Sequence, residues 1–157
     1  MMAQKIVNID SNSTPEVSAS NQAKSSNKAL LEFQFPRGVA GFADAFRFAF
    51  IYEGMGNMVC MQSVDCPEAS FILTPWDEAR LGLPPTLSAE QRLCLDVEHD
   101  DEVVWLLVLN PFADATWVTA NLRAPIAICE NTHMGLQCIR NQTSLDIRFQ
   151  WMRQPAP

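Results

Sequence analysis

Five carboxylates and a histidine fall within seven residues, the densest set of groups in this chain that could do chemistry. They occupy residues 96–102, with His99 among them. Such a cluster could hold a cation or perform acid–base catalysis, because histidine titrates near neutral pH. The calcium-loop pattern, with its glycine and terminal glutamate, is absent. We therefore interpret the run as a solvated acidic loop.

The cysteines show no metal or disulfide pattern. Their number is odd and no C-x-x-C pair occurs, whereas a structural zinc site needs about four clustered ligands. Cys66 lies in Asp65-Cys66-Pro67 and has no cationic sequence neighbour that would lower its pKa. We expect no metal site, and free thiols in a reducing compartment at Cys60, Cys66, Cys94, Cys129 and Cys138.

Sequence motifs of enzymes and cofactor-binding proteins are also absent. The chain contains no G-x-S-x-G, no P-loop and no G-x-G-x-x-G, the motifs that place a nucleophile or surround a phosphate. Gly54-Met55-Gly56 is too short to indicate phosphate binding and is interpreted as a hairpin turn. We expect a protein that is not an enzyme and carries no cofactor.

The net charge of −7 is divided unequally along the chain. Residues 1–28 hold three lysines against two acids, a balance of +1, and the rest holds eight arginines against sixteen acids, a balance of −8. An acidic body is poorly suited to nucleic-acid phosphates, whose binding depends on lysine and arginine. It suits a basic protein, because complementary charge speeds association. We expect a protein partner and no direct contact with nucleic acid.

Length and composition predict one domain between two tails. The chain has 157 residues, 48% of them hydrophobic, enough for one core. Residues 1–28, rich in serine and asparagine, predict a disordered tail; residues 29–150 predict the domain, and residues 151–157 a frayed tail. No apolar run reaches the ~20 residues of a membrane span, and no secretory signal is visible. We expect a monomeric cytoplasmic protein without a membrane segment.

Short segments of alternating or apolar residues, separated by glycine and proline, predict the fold. We expect strands near residues 31–35, 46–50, 58–62, 70–74, 103–109, 117–122, 125–129, 136–140 and 145–149. Ser88 and Gln91 have the spacing of a capping box, which predicts a short helix over residues 89–95. The pattern indicates a mainly β protein, a small antiparallel β-barrel-like single domain with one or two short helices.

Two segments combine strand and turn residues: Gln62-Ser63-Val64-Asp65-Cys66-Pro67-Glu68-Ala69-Ser70-Phe71 and Thr119-Ala120-Asn121-Leu122-Arg123-Ala124-Pro125-Ile126. Pro125 cannot donate a ladder hydrogen bond, which places it at a strand start or a sheet edge. Asp65 and Asn121 can bond nearby backbone, so both segments could be turns that hold the barrel together. They could equally form a partner-binding surface, and the sequence leaves both possibilities open.

These segments resemble the Q-S-x-D-x-P-x-x-x-F and T-x-N-L-x-A-P-I signatures of the FliW family of flagellar assembly factors. The resemblance covers residues 31–149 and includes Gly135-Leu136-Gln137 and Arg148. Two positions depart from the family pattern. Gly38-Val39-Ala40-Gly41-Phe42 stands where the family has G-L-P-G-F and lacks its proline, and Leu145 stands where an aromatic residue is common.

The resemblance implies a non-catalytic protein that binds flagellin before export and also binds the translational regulator CsrA. By removing CsrA from flagellin mRNA, it would relieve repression of flagellin translation, so the two proteins would act as alternating partners. Flagellin presents amphipathic helices that need an apolar groove, and an exposed sheet edge near Pro125 or the turn at Cys66 could provide it. The implied partner-binding residues are Gln62, Ser63, Asp65, Pro67, Asn121, Arg123 and Pro125.

Charge adds a prediction that is independent of the signatures. Residues 77–102 hold eight acids against two arginines, and we expect Asp100, Asp101 and Glu102 to contact CsrA electrostatically. The alternative is a surface that only keeps the protein soluble. Trp76 and Trp151 are candidate interface anchors or caps of the barrel.

The competing interpretation of such a small β-barrel is a cofactor- or ligand-binding protein of the flavin split-barrel type. It would need a basic cluster to hold phosphate, whereas the folded body has scattered arginines and no lysine. A yellow colour of the purified protein would support this interpretation.

Overall fold

The computed structural model describes residues 31–156, apart from residues 53 and 55. The tail predicted for residues 1–28 lies outside this range. Two short α-helices, α1 (Glu78–Leu81) and α2 (Ala89–Leu95), and a 3₁₀ turn (Asp100–Glu102) accompany the strands. The strands are β1 (Leu31–Gln34), β2 (Arg47–Ile51), β3 (Val59–Ser63), β4 (Ser70–Pro75), β5 (Val104–Asn110), β6 (Trp117–Ala120), β7 (Ile126–Cys129), β8 (Met134–Gln137) and β9 (Phe149–Arg153).

Seven of the strands close into a barrel. The ring runs β1-β2-β3-β4-β5-β7-β8 and returns to β1, and its neighbours are antiparallel except for the single parallel contact of Gln34 with Met134. β5 pairs with β4 on one side and with both β6 and β7 on the other, and β9 pairs with β6 outside the ring. The prediction of a mainly β, barrel-like domain with short helices is confirmed.

The strand alternation fills the barrel with phenylalanine. Phe33, Phe48 and Phe50 point inward and are fully buried, and the rings of Phe33 and Phe50 lie 4.8 Å apart. Leu106 and Ile128 meet them from the opposite wall. Burial of each such side chain contributes about 2 kcal/mol, so this cluster dominates the stability of the fold.

β5 is apolar on both faces because it borders three clusters. Leu106 points into the barrel, whereas Trp105 packs outside it beneath α2 and Leu107 packs beneath α1, β6 and β9. A strand that is covered on both faces needs no polar alternation. This arrangement explains why residues 103–109 form the most hydrophobic run of the sequence.

The predicted helix over residues 89–95 is confirmed with its cap. Ser88 Oγ accepts a hydrogen bond from the Gln91 amide at 3.1 Å, and Gln91 Oε1 accepts one from the Ser88 amide at 2.9 Å. Leu95 is the buried residue that anchors α2 to the barrel wall. α1 was not predicted; Asp77 caps it by accepting a hydrogen bond from the Ala79 amide.

The C-terminal boundary predicted from the sequence needs correction. Residues 145–149 alternate and were predicted as a strand, with a frayed tail from residue 151, but β9 covers Phe149–Arg153 and pairs with β6. Residues 143–148 form a turn instead, because the carbonyls of Thr143 and Leu145 accept hydrogen bonds from the Arg123 side chain. The last strand therefore starts where this turn ends.

Most connections between strands lie at one of the two ends of the barrel. Successive strands alternate in direction, except that β6 and β7 are both antiparallel to β5 and run the same way. Residues 35–46, 64–69, 111–116 and 138–148 therefore leave the strands at one end, which we call the loop end. Residues 76–103, which carry both helices, and residues 130–133 leave at the other, which we call the helix end.

Candidate partner-binding surfaces

The first signature forms the hairpin that joins β3 to β4. Ser63 is buried, and its Oγ accepts hydrogen bonds from the amides of Asp65 (3.1 Å) and Cys66 (2.8 Å). Gln62 Nε2 donates across the turn to the Pro67 carbonyl at 3.2 Å. These side chains satisfy backbone groups of a tight turn, the role that short polar residues play in such turns.

Two of the predicted partner-binding residues in this hairpin remain available to a partner. Asp65 and Pro67 are exposed, and Asp65 lies 3.5 Å from Arg47, which also approaches Glu32 at 3.7 Å. These ion pairs lie in solvent and contribute little to stability. The first signature therefore divides into buried turn-forming groups and an exposed tip.

The second signature forms the link between β6 and β7. Asn121 Oδ1 accepts a hydrogen bond from the Arg123 amide at 2.9 Å, which closes a local turn. Arg123 Nε donates to the Leu145 carbonyl at 2.8 Å, and its Nη2 donates to the Thr143 carbonyl at 2.9 Å. Arg123 thereby fastens the loop before β9 to the barrel wall, which is a structural role.

The exposed sheet edge expected near Pro125 is not present. Pro125 is buried immediately before β7, and β7 is flanked by β5 and β8. Its carbonyl accepts a hydrogen bond from the Cys138 amide at 2.8 Å. Of the two positions that a proline permits, the start of a strand is the one found.

Gln137 and Gly135 connect β8 to neighbouring segments, and the sequence assigned neither a role. Gln137 Oε1 accepts a hydrogen bond from the Ala40 amide at 2.7 Å, and its Nε2 donates to the Ala124 carbonyl at 3.4 Å. Gly135 lies against the ring of Phe35, which occupies the space that a Cβ would need. In the sequence, their match to the family pattern was the feature that pointed to these two residues.

The loop beginning at Gly38 is also constrained by geometry. Gly38 has φ of 66°, and a Cβ there would lie 2.7 Å from the Ala43 carbonyl oxygen. Only glycine fits both the left-handed backbone and the close approach. The loop therefore holds its shape without the proline that the family pattern places there.

The loop end exposes five large apolar side chains, one or more on each of its four loops. The exposed fractions are 43% for Phe46, 42% for Val64, 91% for Phe112, 58% for Ile139 and 51% for Ile147. Ile139 stands between two hollows of about 530 and 390 Å³, and Gln91 of α2 borders both. Exposed apolar groups beside a hollow are the usual features of a protein-binding surface.

The three acids predicted to contact CsrA lie in the 3₁₀ turn and differ in availability. Asp100 is engaged locally, because it accepts hydrogen bonds from the Leu87 amide at 3.0 Å and from Arg92 at 3.3 Å. Glu102 is exposed and accepts a hydrogen bond from the His99 amide at 3.1 Å. Asp101 is exposed, as are Asp96 and Glu98 earlier in the run. Four carboxylates therefore face solvent, while Asp100 maintains the turn.

Two of the thiols, those of Cys66 and Cys138, are not activated for nucleophilic chemistry. Cys66 Sγ donates a hydrogen bond to Glu68 Oε1 at 2.9 Å, and this bond raises the pKa of the Cys66 thiol and lowers the pKa of Glu68. Burial raises the pKa of the Cys138 thiol to about 12. A reactive cysteine has a lowered pKa, so both groups are neutral at physiological pH.

Most arginine side chains of the described residues contact a carboxylate, a backbone carbonyl or an aromatic ring. Arg37 pairs with Glu90 at 2.9 Å, and Arg92 pairs with Asp100 at 3.3 Å. Arg80 lies 4.2 Å above the ring of Trp151, and Arg153 lies 4.7 Å above the ring of Trp117. These contacts place the four guanidinium groups apart from one another, whereas a phosphate-binding site would need a basic cluster.

The described residues contain neither a cluster of metal ligands nor a membrane-spanning helix. Among residues 31–156 without 53 and 55, no three His, Cys, Asp or Glu side chains are placed to hold a metal ion. Over the same part of the chain, no helix has the length and apolar character that crossing a membrane requires.

Comparison with known families identifies the chain. The model of the FliW protein family matches residues 16–151, a range that contains both signatures and the acidic segment. The chain belongs to the FliW family. The two signatures of this FliW chain mainly form turns, and the exposed carboxylates of residues 96–102 lie on a different connection from Ile139.

Individual relatives agree with this assignment. The flagellar assembly factor FliW of Borrelia turicatae is 28% identical over 130 residues, which cover 82% of this chain and 98% of that protein. The FliW of Geobacter sulfurreducens is 34% identical over 122 residues, covering 77% of this chain and 76% of that protein. A crystal structure of the flagellar assembly factor FliW superposes with a TM-score of 0.67 at 23% identity, covering 76% of this chain and 84% of that one, and supports the barrel fold.

Proposed function

We propose that this FliW-family protein is a cytoplasmic, non-enzymatic flagellar assembly factor that binds flagellin and CsrA as alternating partners. When flagellin is exported, the freed protein binds CsrA and relieves repression of flagellin translation. The observation that supports this most directly is the match of the FliW family over residues 16–151. Two surfaces of different chemistry, one apolar and one acidic, suit two different partners.

The acidic surface is the proposed CsrA contact. A protein that represses an mRNA carries a basic surface, because phosphate binding depends on lysine and arginine. The exposed carboxylates of Asp96, Glu98, Asp101 and Glu102 present the complementary charge. Complementary charge mainly raises the association rate.

The loop end is the proposed flagellin contact. An amphipathic helix binds through apolar side chains that enter a groove. Ile139 and the adjoining hollow of about 530 Å³, bordered by residues 37–43, provide such a groove. The exposed tip at Asp65 and Pro67 lies at the same end of the barrel.

Titration calorimetry tests the proposal with flagellin and CsrA from the same organism, each alone and then with the other present. We expect binding of both proteins and suppression of one by the other. Binding of flagellin alone would reduce the function to a flagellin chaperone, and binding of neither would contradict the proposal.

Paired variants test which surface serves which partner. Ile139→Ser should weaken flagellin binding and leave CsrA binding unchanged, whereas Glu98→Gln/Asp101→Asn should do the reverse. Leu83→Ser is the matched apolar control, because Leu83 is 80% exposed on the connection between the helices. Asp44→Asn/Glu68→Gln is the matched charge control at the loop end. If the controls weaken binding as much as the test variants, the assignment of surfaces is wrong.

A further inference from the structure

A cleft of about 480 Å³ lies between the start of α1, the end of β4 and β9. Two tryptophans that are distant in sequence, Trp76 and Trp151, line it together with Met58 and Met152. Its volume is that of a site for one or two side chains of a ligand. This cleft belongs neither to the acidic run nor to the loop end.

Both indole rings are held in place before any ligand arrives. Trp76 Nε1 donates a hydrogen bond to the Gly82 carbonyl at 2.8 Å. The ring of Trp151 lies beneath the guanidinium group of Arg80 at 4.2 Å, and Arg80 Nη2 also donates to the Gln150 carbonyl at 3.1 Å. Rigid aromatic walls bind at low entropic cost, because no side chain has to be ordered.

The two methionines that line the cleft can change their side-chain conformations. Met152 is 40% exposed and Met58 is partly buried. Methionine side chains are flexible and polarisable, and they occur on surfaces that accept varied apolar groups. The cleft therefore suits a large apolar side chain without demanding one particular shape.

The charge around the cleft is negative. Asp77 and Glu78 line it, and the one cation in its lining, Arg80, is already stacked on Trp151 and bonded to a backbone carbonyl. Asp77 caps α1, while Glu78 is exposed. A ligand that brings a positive group next to its apolar group would complement both features.

We propose that this cleft docks a segment of a partner protein in which a large apolar side chain is adjacent to a lysine or arginine. The apolar side chain packs between Trp76, Trp151 and the methionines, and the cation lies beside Glu78. The inference rests on the geometry and charge of the cleft, and it does not depend on the partners proposed above.

Nuclear magnetic resonance of the tryptophan indole N–H groups tests the inference on the whole chain. The probes are two synthetic peptides, acetyl-Gly-Phe-Lys-Gly-amide and acetyl-Gly-Phe-Glu-Gly-amide. With the lysine peptide, we expect saturable shifts of the Trp76 and Trp151 signals and smaller shifts of the Trp105 and Trp117 signals. The glutamate peptide should bind severalfold more weakly.

A charge variant and its control separate docking from general attraction. Glu78→Gln should lower the affinity for the lysine peptide about two- to fivefold, because it removes one solvent-exposed ion pair. Glu98→Gln, which removes the same charge from the acidic run, should leave its affinity unchanged. Equal binding of both peptides, equal effects of both variants, or the absence of shifts at Trp76 and Trp151 would overturn the inference.

The two proposals are tested separately. Calorimetry can show no binding of flagellin or CsrA while the peptide still shifts the Trp76 and Trp151 signals.

Discussion

At the scale of single residues, the residue type at several positions is determined by the groups in direct contact with it. Gly135 is next to the ring of Phe35 because β8 runs alongside β1 at this point. Ser63 can be buried because its hydroxyl oxygen accepts hydrogen bonds from two backbone amides of the hairpin. In both cases the residue type follows from local geometry, so its presence in a family pattern does not by itself indicate partner binding.

Gly135→Ala should lower the free energy of unfolding by about 1–3 kcal/mol, the cost of inserting a methyl group into a packed core. The added Cβ would overlap the ring of Phe35. Chemical denaturation measures the change. The control is the same Gly135→Ala substitution in a Phe35→Leu variant, where it should lower the free energy of unfolding by less. An equal loss of free energy in both backgrounds would contradict the packing explanation.

Glu68→Gln should accelerate alkylation of Cys66 at about pH 8. The hydrogen bond to the Glu68 carboxylate raises the pKa of the thiol by stabilising its protonated form. Without that carboxylate the pKa falls, and a larger fraction of the thiol is the reactive thiolate. Mass spectrometry after iodoacetamide treatment measures the rate at Cys66, and Asp44→Asn is the control. An unchanged rate would show that the hydrogen bond is not made in solution.

At the scale of elements, β9 illustrates how an edge strand is protected. It pairs with β6 on one side only, so it could recruit another strand. Arg80 of α1 covers the strand by donating to the Gln150 carbonyl and by stacking on Trp151 and Phe149. This contact also attaches α1 to the sheet.

Arg80→Ala should increase self-association, because the Gln150 carbonyl would lose its partner and the edge of β9 would be uncovered. Sedimentation velocity at increasing protein concentration measures the effect. Arg153→Ala is the control, since Arg153 also stacks on a tryptophan, the Trp117 ring of β6. A variant that remains as monomeric as the parent chain would show that the edge is protected by other means.

At the scale of the whole molecule, acidic residues are concentrated towards one end of the barrel. The sixteen acids beyond residue 28 are not evenly spread, and eight of them fall within residues 77–102. That connection leaves the helix end of the barrel, whereas the exposed apolar side chains on the four loops lie at the loop end. A protein with two such surfaces can meet two partners through different physical forces.

The affinity for CsrA should fall as salt rises from about 50 to about 300 mM, because screening weakens interactions between exposed charges. The affinity for flagellin should change less, since apolar burial does not depend on charge. Calorimetry at several salt concentrations measures both. Neutralising Asp101 and Glu102 should slow CsrA association, and a salt-independent CsrA affinity would contradict the electrostatic assignment.

The sequence by itself determined the elements whose causes lie within a few residues. The capping box of Ser88 and Gln91 acts over three positions, and the helix it starts has the predicted bounds. Alternating phenylalanines predicted β1 and β2, and a continuous apolar run predicted β5, because burial on one face or on both faces leaves a direct pattern. The two signatures were sufficient to indicate the FliW family.

Only the tertiary structure decided the features that depend on contacts between distant residues. β4 and β5 close the barrel across a connection of 28 residues, from 76 to 103, whose length does not specify the pairing. Arg123 converts the alternating residues 143–148 into a turn from a position about twenty residues earlier. Pro125 became buried at a strand start, and Trp76 came to share a cleft with Trp151. Local sequence cannot specify such contacts, because chain closure brings together groups whose separation along the chain carries no periodic signal.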